Sequence, residues 1–317
     1  MGDWDQNVFR TPALRRTMNN IFEGKTTITP ALEDTTPVNG IASQGTMTID
    51  GVVIDGETVL IGADTYEFCA DSAQSVTTVG NLPIDISAVS TASEGKLSMA
   101  TKPTATNTIT IGTTVYTFRA AATVVGDVEI GADIAASKLA LVAAINGTDE
   151  LNSAHPDVMA PAFVGDTCDI TALVGGVAGD SIATTETFTD GTDAFDAGTL
   201  GTEVAGADCV QAAAVTALAL AITTFDTQGV AAADGAGDTV VLTADALGVA
   251  GNAITITETM ANGAFDAVVM GTTTAGVDGT VGTAGMIVAD GDYIYVCSAD
   301  NSVAGANWTR AALTASY

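Results

Sequence analysis

The chain has 317 residues, of which 47% are hydrophobic and 5% aromatic, and its formal net charge is −29. This apolar content is enough to bury hydrophobic cores, so a disordered protein is excluded. A surface this acidic repels phosphate backbones and anionic lipids, so we expect neither nucleic acid nor a membrane as a partner. Abundant Gly and Thr favour short strands joined by tight turns. We expect a mainly β fold with a few short helices, built as tandem small α+β modules.

The N-terminal region, residues 1–42, predicts a short helix followed by an arm. Thr11 and Pro12 form a helix start, with Thr as the N-cap and Pro at the first helical position. Residues 13–22 place apolar side chains on one helical face. Residues 25–40 contain two prolines, which favours an extended arm. The apolar face consists of Leu14, Met18, Ile21 and Phe22.

The basic residues are concentrated near the N-terminus. Four of the nine lie in the first 25 positions, where three acidic residues leave a charge of +1, while the remainder has five basic and 35 acidic residues. Such an asymmetry indicates that the N-terminus has a different neighbour from the rest of the chain. We interpret the helix as an anchor that docks on a particle, and the alternative is that it caps the first module. The candidate docking residues are Arg10, Leu14, Arg15, Arg16, Met18 and Phe22.

Strand-like alternation begins at residue 45. Residues 46–68 contain two Asp-Gly turn signals between apolar strands and predict a β-meander, which we place in a domain over 43–100. Residues 58–68 match residues 108–118 at an offset of 50, since both carry an Ile-Gly turn followed by Tyr and Phe. The same hairpin is therefore expected in both places.

A longer repeat follows. The Ala- and Leu-rich segments 135–146 and 214–222 both predict helices, and residues 179–187 match 251–259 at an offset of 72. The Gly-Ala-Asp strings that end at Asp133 and Asp208 also align. We predict a central repeat module over 101–200 and a second, truncated module over 201–278 that lacks the opening hairpin.

The C-terminal segment, residues 279–317, predicts a separate short meander. An Asp290–Gly291 turn precedes an aromatic strand, and the segment ends in Trp-Thr-Arg. The candidate receptor contacts in this segment are Tyr293, Tyr295, Trp308 and Arg310, although for Trp308 a buried position that closes the meander is favoured over a receptor contact.

Two parts of the chain resemble tailed-bacteriophage virion proteins. The module at 108–187, with the partial copy at 203–259, resembles modules of tail fibres and of head decoration or head-fibre proteins. The ending Tyr293-Ile-Tyr-Val-Cys, with Asn307-Trp-Thr-Arg310, is similar to the terminal meander of phage fibres. The resemblance implies a structural protein at the virion surface that forms a homo-oligomer, often a trimer.

Candidate chemistry is sparse in this sequence. His155, the single histidine, precedes a proline, and we interpret it as a surface or turn residue. Asp pairs such as Asp190 with Asp193 suit turns, although Ca²⁺ binding is an alternative. The four cysteines are far apart, so reduced, buried thiols are expected, with disulfides as the alternative. We expect no enzymatic activity and no cofactor.

The sequence therefore predicts a phage virion structural protein, with capsid decoration or a head fibre favoured. It would be made in the host cytoplasm, because the first 20 residues do not form a signal peptide. The alternative is a tail fibre or receptor-binding protein that recognises host surface glycans. Its partners would be other virion proteins of the capsid or tail.

Overall fold

The computed structural model describes residues 37–289, 293–302 and 305–312. In these residues short strands dominate and two α-helices occur, which confirms the predicted mainly β fold with few helices. The helices are α1 (Ile134–Ile145) and α2 (Gln211–Phe225). The strands are β1 (Ala42–Ile49), β2 (Thr58–Ile61), β3 (Asp64–Cys69), β4 (Leu82–Asp85), β5 (Glu94–Ser98), β6 (Thr108–Ile111), β7 (Thr114–Arg119), β8 (Asp127–Glu129), β9 (Val158–Met159), β10 (Thr167–Ala172), β11 (Thr184–Glu186), β12 (Ala194–Phe195), β13 (Val230–Asp234), β14 (Thr239–Leu247), β15 (Ile256–Glu258), β16 (Gly263–Phe265), β17 (Ile287–Ala289), β18 (Tyr293–Cys297) and β19 (Trp308–Ala312).

The chain forms two compact units. The larger unit comprises Gly45–Leu242 and Thr255–Val268. Of the described residues, the smaller unit comprises 37–44, Thr243–Ile254, 269–289, 293–302 and 305–312. The described strands form five sheets, with the orders β13-β14-β1-β16, β12-β5-β10-β9, β11-β6-β7-β8, β15-β2-β3-β4 and β17-β18-β19.

Two sheets of the larger unit are built in the same way. In each sheet a tight antiparallel hairpin, β2–β3 or β6–β7, is followed by a strand that pairs in parallel with the second hairpin strand. A short antiparallel strand, β15 or β11, closes the other edge. The hairpins turn at Gly62 and Gly112, whose φ angles of 60° and 56° suit glycine. The offset of 50 therefore reflects the same sheet arrangement, which occurs twice in the chain.

Hydrogen bonds at the closing strands show the same equivalence. The Thr108 amide donates to Thr187 Oγ1 at 2.7 Å, and the Thr58 amide donates to Thr259 Oγ1 at 3.1 Å. Each donor lies at the first residue of a hairpin, and each acceptor directly follows a closing strand.

One copy of the repeat is inserted into the other. Strand β15 pairs with β2, although residues 91–209 separate them in the chain and contain the complete sheet β11-β6-β7-β8. We call residues 91–209 the inserted repeat, and the two segments 41–90 and 210–278 the interrupted repeat. The predicted modules 43–100 and 201–278 therefore contribute strands to one sheet. The hairpin that the downstream module lacks is β2–β3, which lies upstream of the inserted repeat.

The local meander predicted for residues 46–68 is wrong in its first part. Strand β1 does not pair with the segment that follows it, because it lies between β14 and β16. Val53 instead forms an isolated bridge with Cys209. The alternating burial of β1, with Met47 and Ile49 fully buried, determines which face packs inward but not which strand lies beside it.

The core of the inserted repeat lies between its sheets and helix α1. Leu141, Ala144 and Ile145 of α1 are buried, and Asp133 caps the helix by accepting a hydrogen bond from the Ala136 amide at 2.8 Å. Lys138 is also buried. Its ammonium group donates to the Gly165 carbonyl and to Asp166 Oδ1, both at 2.8 Å, so the buried charge is paired. The fully buried strand residues of this core include Leu97, Ile109, Ile111, Phe118 and Ile170.

Each repeat contains a cluster of one buried serine, one half-buried Asp or Asn and one buried glycine, which we call the serine–Asx–glycine cluster. In the inserted repeat, Asp180 Oδ1 accepts hydrogen bonds from the Ser93 hydroxyl at 2.7 Å and the Gly206 amide at 2.8 Å. The described residues of the smaller unit contain the counterpart. There the acceptor is Asn252 Oδ1, and its donors are the Ser43 hydroxyl at 2.6 Å and the Gly276 amide at 2.7 Å.

The cluster corrects one alignment made from sequence. Asp208 does not correspond to the helix cap Asp133, because Asp208 Oδ1 accepts from the Val177 amide at 2.9 Å. Its counterpart is Asp278, which accepts from the Val249 amide at 2.8 Å. Residues 194–208 therefore correspond to residues 264–278.

The difference between Asp180 and Asn252 predicts a pH effect. Hydrogen bonds from the Gly206 amide and the Ser93 hydroxyl lower the pKa of Asp180. The stabilisation that the charged form provides is therefore complete above the ordinary Asp pKa and is lost as pH falls through the lowered pKa. Asp180→Asn should cost about 1 kcal/mol at pH 7, as measured by urea unfolding, and this difference should shrink as the pH falls below the ordinary Asp range.

The reciprocal variant is the control. Asn252→Asp places a titrating group in the same environment, so its stability relative to wild type should fall as the solution is acidified. A stability difference between Asp180→Asn and wild type that does not change with pH would contradict this account of the cluster.

Candidate functional site

The six candidate docking residues in the predicted N-terminal helix and just before it lie outside the described residues. They are Arg10, Leu14, Arg15, Arg16, Met18 and Phe22. The chain enters the described structure at Pro37, which is buried.

Residues 37–40 are hydrogen-bonded to the C-terminal segment. The Val38 amide donates to Thr280 Oγ1 at 3.0 Å, and the Val38 carbonyl accepts from the Thr280 amide at 2.9 Å. The Gly40 amide donates to the Gly305 carbonyl at 2.9 Å. We call residues 37–40, together with Thr280, Gly305 and Trp308, the terminal joint.

Trp308 is the central side chain of the terminal joint. Its indole Nε1 donates to the Thr280 carbonyl at 2.6 Å, and its backbone amide donates to Asn39 Oδ1 at 3.3 Å. The ring is buried, and it packs so closely on Gly282 that a Cβ there would lie 2.6 Å from the indole. Trp308 therefore has a structural role that leaves little of its surface for a ligand.

Burial divides the four candidate receptor contacts into two pairs. Tyr295 and Trp308 form a small core with Cys297 in the sheet β17-β18-β19. Their buried side chains are therefore not accessible to a receptor. Arg310 is exposed and Tyr293 is half-buried. The Arg310 guanidinium lies 4.8 Å from the centre of the Tyr293 ring. This cation–π pair is the part of the predicted site that a partner can reach.

Arg310 differs from the other basic residues of the described structure. Lys96, Arg119 and Lys138 each form an ion pair with a carboxylate, and Lys102 Nζ donates to the Ala132 carbonyl at 3.0 Å. Among the described residues Arg310 forms no ion pair with a carboxylate. Its guanidinium instead lies over the Tyr293 ring, and the side chain is exposed.

His155 is buried, which corrects the predicted surface position. Its Nε2 lies 3.1 Å from the Ile111 carbonyl oxygen, and its Nδ1 accepts from the Asp157 amide at 3.0 Å. Both ring nitrogens are therefore used to fix the chain beside the β6–β7 turn. This arrangement is structural, and it leaves neither nitrogen for proton transfer to a substrate.

The Asp190–Asp193 pair forms part of a turn. Asp190 Oδ1 accepts from the Thr192 and Asp193 amides, both at 2.8 Å, and these bonds lower the pKa of Asp190. Thr101 Oγ1 lies within hydrogen-bonding distance of both carboxylates, at 2.9 and 2.6 Å. Within the described ranges no group of three or more His, Cys, Asp or Glu side chains is arranged to hold a metal ion.

The four cysteines are free and buried. Burial raises the pKa of the Cys168 thiol to about 12 and that of Cys209 to about 11. The thiolate that nucleophilic catalysis requires is therefore strongly disfavoured at these two positions at neutral pH.

No protein family model, curated protein or solved structure matches the chain. In the part of the chain that the structure describes, neither helix has the length and apolar character required to cross a membrane.

Proposed function

We propose that the chain is a bacteriophage virion structural protein, a capsid decoration or head-fibre protein that docks through its N-terminal region and projects its repeats. The observation that carries the proposal is the duplicated unit, since one β-rich repeat that resembles phage virion modules is inserted into a second copy of itself. Such duplication extends a scaffold by repeating its packing. The buried polar groups described above hold strands and turns together in each copy.

The charge distribution supports the same role. Residues 41–278 contain four basic and 30 acidic residues, which gives a charge of −26. Copies placed side by side on a particle would repel one another through these repeats, which keeps neighbouring repeats apart and soluble. A structural protein displayed in many copies benefits from that repulsion.

Virions purified by density gradient test this proposal. Mass spectrometry of the particle fraction should find the chain in a constant ratio to the capsid protein. A few copies per particle would favour the alternative of a tail fibre, and absence of the chain from particles would contradict both roles. We also propose a homo-oligomer, with light scattering expected to give about three times the chain mass of 31.6 kDa.

The alternative role as a receptor-binding protein is favoured by one observation. The Tyr293–Arg310 pair combines an aromatic ring with an exposed cation, a combination that is frequent at binding hot spots. If the protein recognises host glycans, purified chain should bind host cells and lose that binding after enzymatic removal of the surface glycans.

A further inference from the structure

The outward faces of helices α1 and α2 carry no charge, although the repeats that contain them have four basic and 30 acidic residues. Neither helix contains an acidic residue, and Lys138, the one basic residue in them, is buried and paired. The water-facing side of a surface helix ordinarily carries charged or polar side chains. These two faces therefore differ from the acidic surface around them.

Each uncharged face presents one protruding leucine. Leu139 of α1 is 71% exposed, and Leu220 of α2 is 66% exposed. The opposite sides of both helices are buried, so neither leucine contributes to a core within its own chain. Removal of these two side chains from water would be favourable in an assembly.

The two helices occupy equivalent positions in the two repeats. Buried residues of α1 match buried residues of α2 at an offset of 77, since Leu141 matches Leu218 and Ile145 matches Ile222. The exposed faces align at the same offset, but their leucines do not. The leucine of one face therefore occupies a different position from the leucine of the other.

This difference makes the two faces complementary in shape. Leu139 of α1 corresponds to Thr216 of α2, and Leu220 of α2 corresponds to Ala143 of α1. When α1 lies beside α2 in this alignment, each leucine is opposite a small residue, as interdigitating helices require. Two copies of the same helix in this alignment would oppose leucine to leucine and leave gaps beside the small residues.

Charge and shape together identify a second copy of this chain as the partner. The acidic repeats of two copies repel each other, so the copies can come into contact only where carboxylates are absent. The faces of α1 and α2 meet that condition, and each supplies the large side chain that the other lacks. The repulsion then acts between assemblies and not across the contact itself.

We propose that α1 of one copy packs against α2 of the next copy. A contact that uses a different face on each copy is heterologous, and it fills both faces of every copy when it closes into a ring. Three copies joined in this way form the proposed trimer. This inference rests on the proposed homo-oligomer and names its interface.

Light scattering of the full chain tests the interface in the variants Leu139→Glu and Leu220→Glu. Each exchange places a charge in the contact, and Glu is a good helix former, so the chain should stay folded. Each variant should have the mass of one chain, 31.6 kDa, at concentrations at which the wild type has three times that mass. Val79→Glu is the matched control, because Val79 is 99% exposed outside both helices, and this variant should remain a trimer.

Two milder variants guard against a folding effect. Leu139→Ala and Leu220→Ala add no charge and keep a strong helix former, and each should raise the dissociation constant of the oligomer at least about tenfold. Circular dichroism checks that every variant is folded. A wild-type oligomer that persists in either glutamate variant would overturn the α1–α2 interface alone. A monomeric wild type would overturn the homo-oligomer as well, whereas the virion role is tested separately by the content of purified particles.

Discussion

Replacing Gly206 with alanine should destabilise the protein by about 3 kcal/mol. A Cβ at this position would overlap the Gly176 carbonyl oxygen and lie 2.6 Å from Ser93 Oγ. The first of these atoms belongs to the backbone and cannot rotate away, so the chain would have to move. The movement would also disturb the hydrogen bond from the Gly206 amide to Asp180. Urea denaturation followed by circular dichroism measures the loss of free energy.

The repeat supplies a second test position and a control. Gly276 has the same environment, because its Cβ would overlap the Gly248 carbonyl and Ser43 Oγ, so Gly276→Ala should be similarly destabilising. Gly198 has open space around the position of a Cβ, and Gly198→Ala should change stability by less than about 0.5 kcal/mol. Tolerance of alanine at both buried glycines would contradict the equivalence of the two clusters.

Phe68→Ala and Phe118→Ala should each cost about 3–5 kcal/mol. Both rings are fully buried, and they occupy the same position in the second hairpin strand of the two equivalent sheets. Phe118 also packs against Phe188, with ring centres 6.1 Å apart. Truncation leaves a cavity that the surrounding sheet cannot close completely. The loss is measured as the change in the free energy of unfolding in urea.

The matched control is Val79→Ala, because Val79 is 99% exposed and its truncation should be nearly neutral. Phe68 is the informative position, because its hairpin, residues 58–69, lies in a sheet that is closed by β15 from far along the chain. A large loss for Phe118→Ala together with a negligible loss for Phe68→Ala would show that the upstream hairpin is not part of an equivalent core.

Local patterns were sufficient to predict the elements of the repeat. The Ile-Gly turn flanked by alternating apolar residues predicted both hairpins, and the high Ala and Leu content predicted α1 and α2 within a few residues of their bounds. The order of the sheets could not be obtained in this way. The β15–β2 pairing joins residues about 200 positions apart, and a strand pattern does not specify such a distant neighbour.

Low sequence complexity caused the alignment error. Gly-Ala-Asp strings recur by chance in a chain rich in these residues, so Asp208 was aligned with the helix cap Asp133. The useful signal was the Ala-Phe-Asp string at 194–196 and 264–266. In each repeat this string precedes the glycine of the serine–Asx–glycine cluster, Gly206 or Gly276.

The candidate site was predictable only in part. The aromatic strand and the closing Trp-Thr-Arg indicated a distinct C-terminal sheet with a buried Trp, but sequence could not show that Tyr295 also faces inward while Arg310 stays exposed. The contact of residues 37–40 with Thr280 and Gly305 has no sequence signature, because it depends on backbone hydrogen bonds between distant segments.

Electron microscopy of virions that carry a gold label on the carboxyl terminus of the chain tests the proposed function most directly. A virion decoration protein predicts label distributed over the capsid lattice. Label confined to the tail tip would contradict decoration and support the tail-fibre alternative, and particles without label would contradict a virion role.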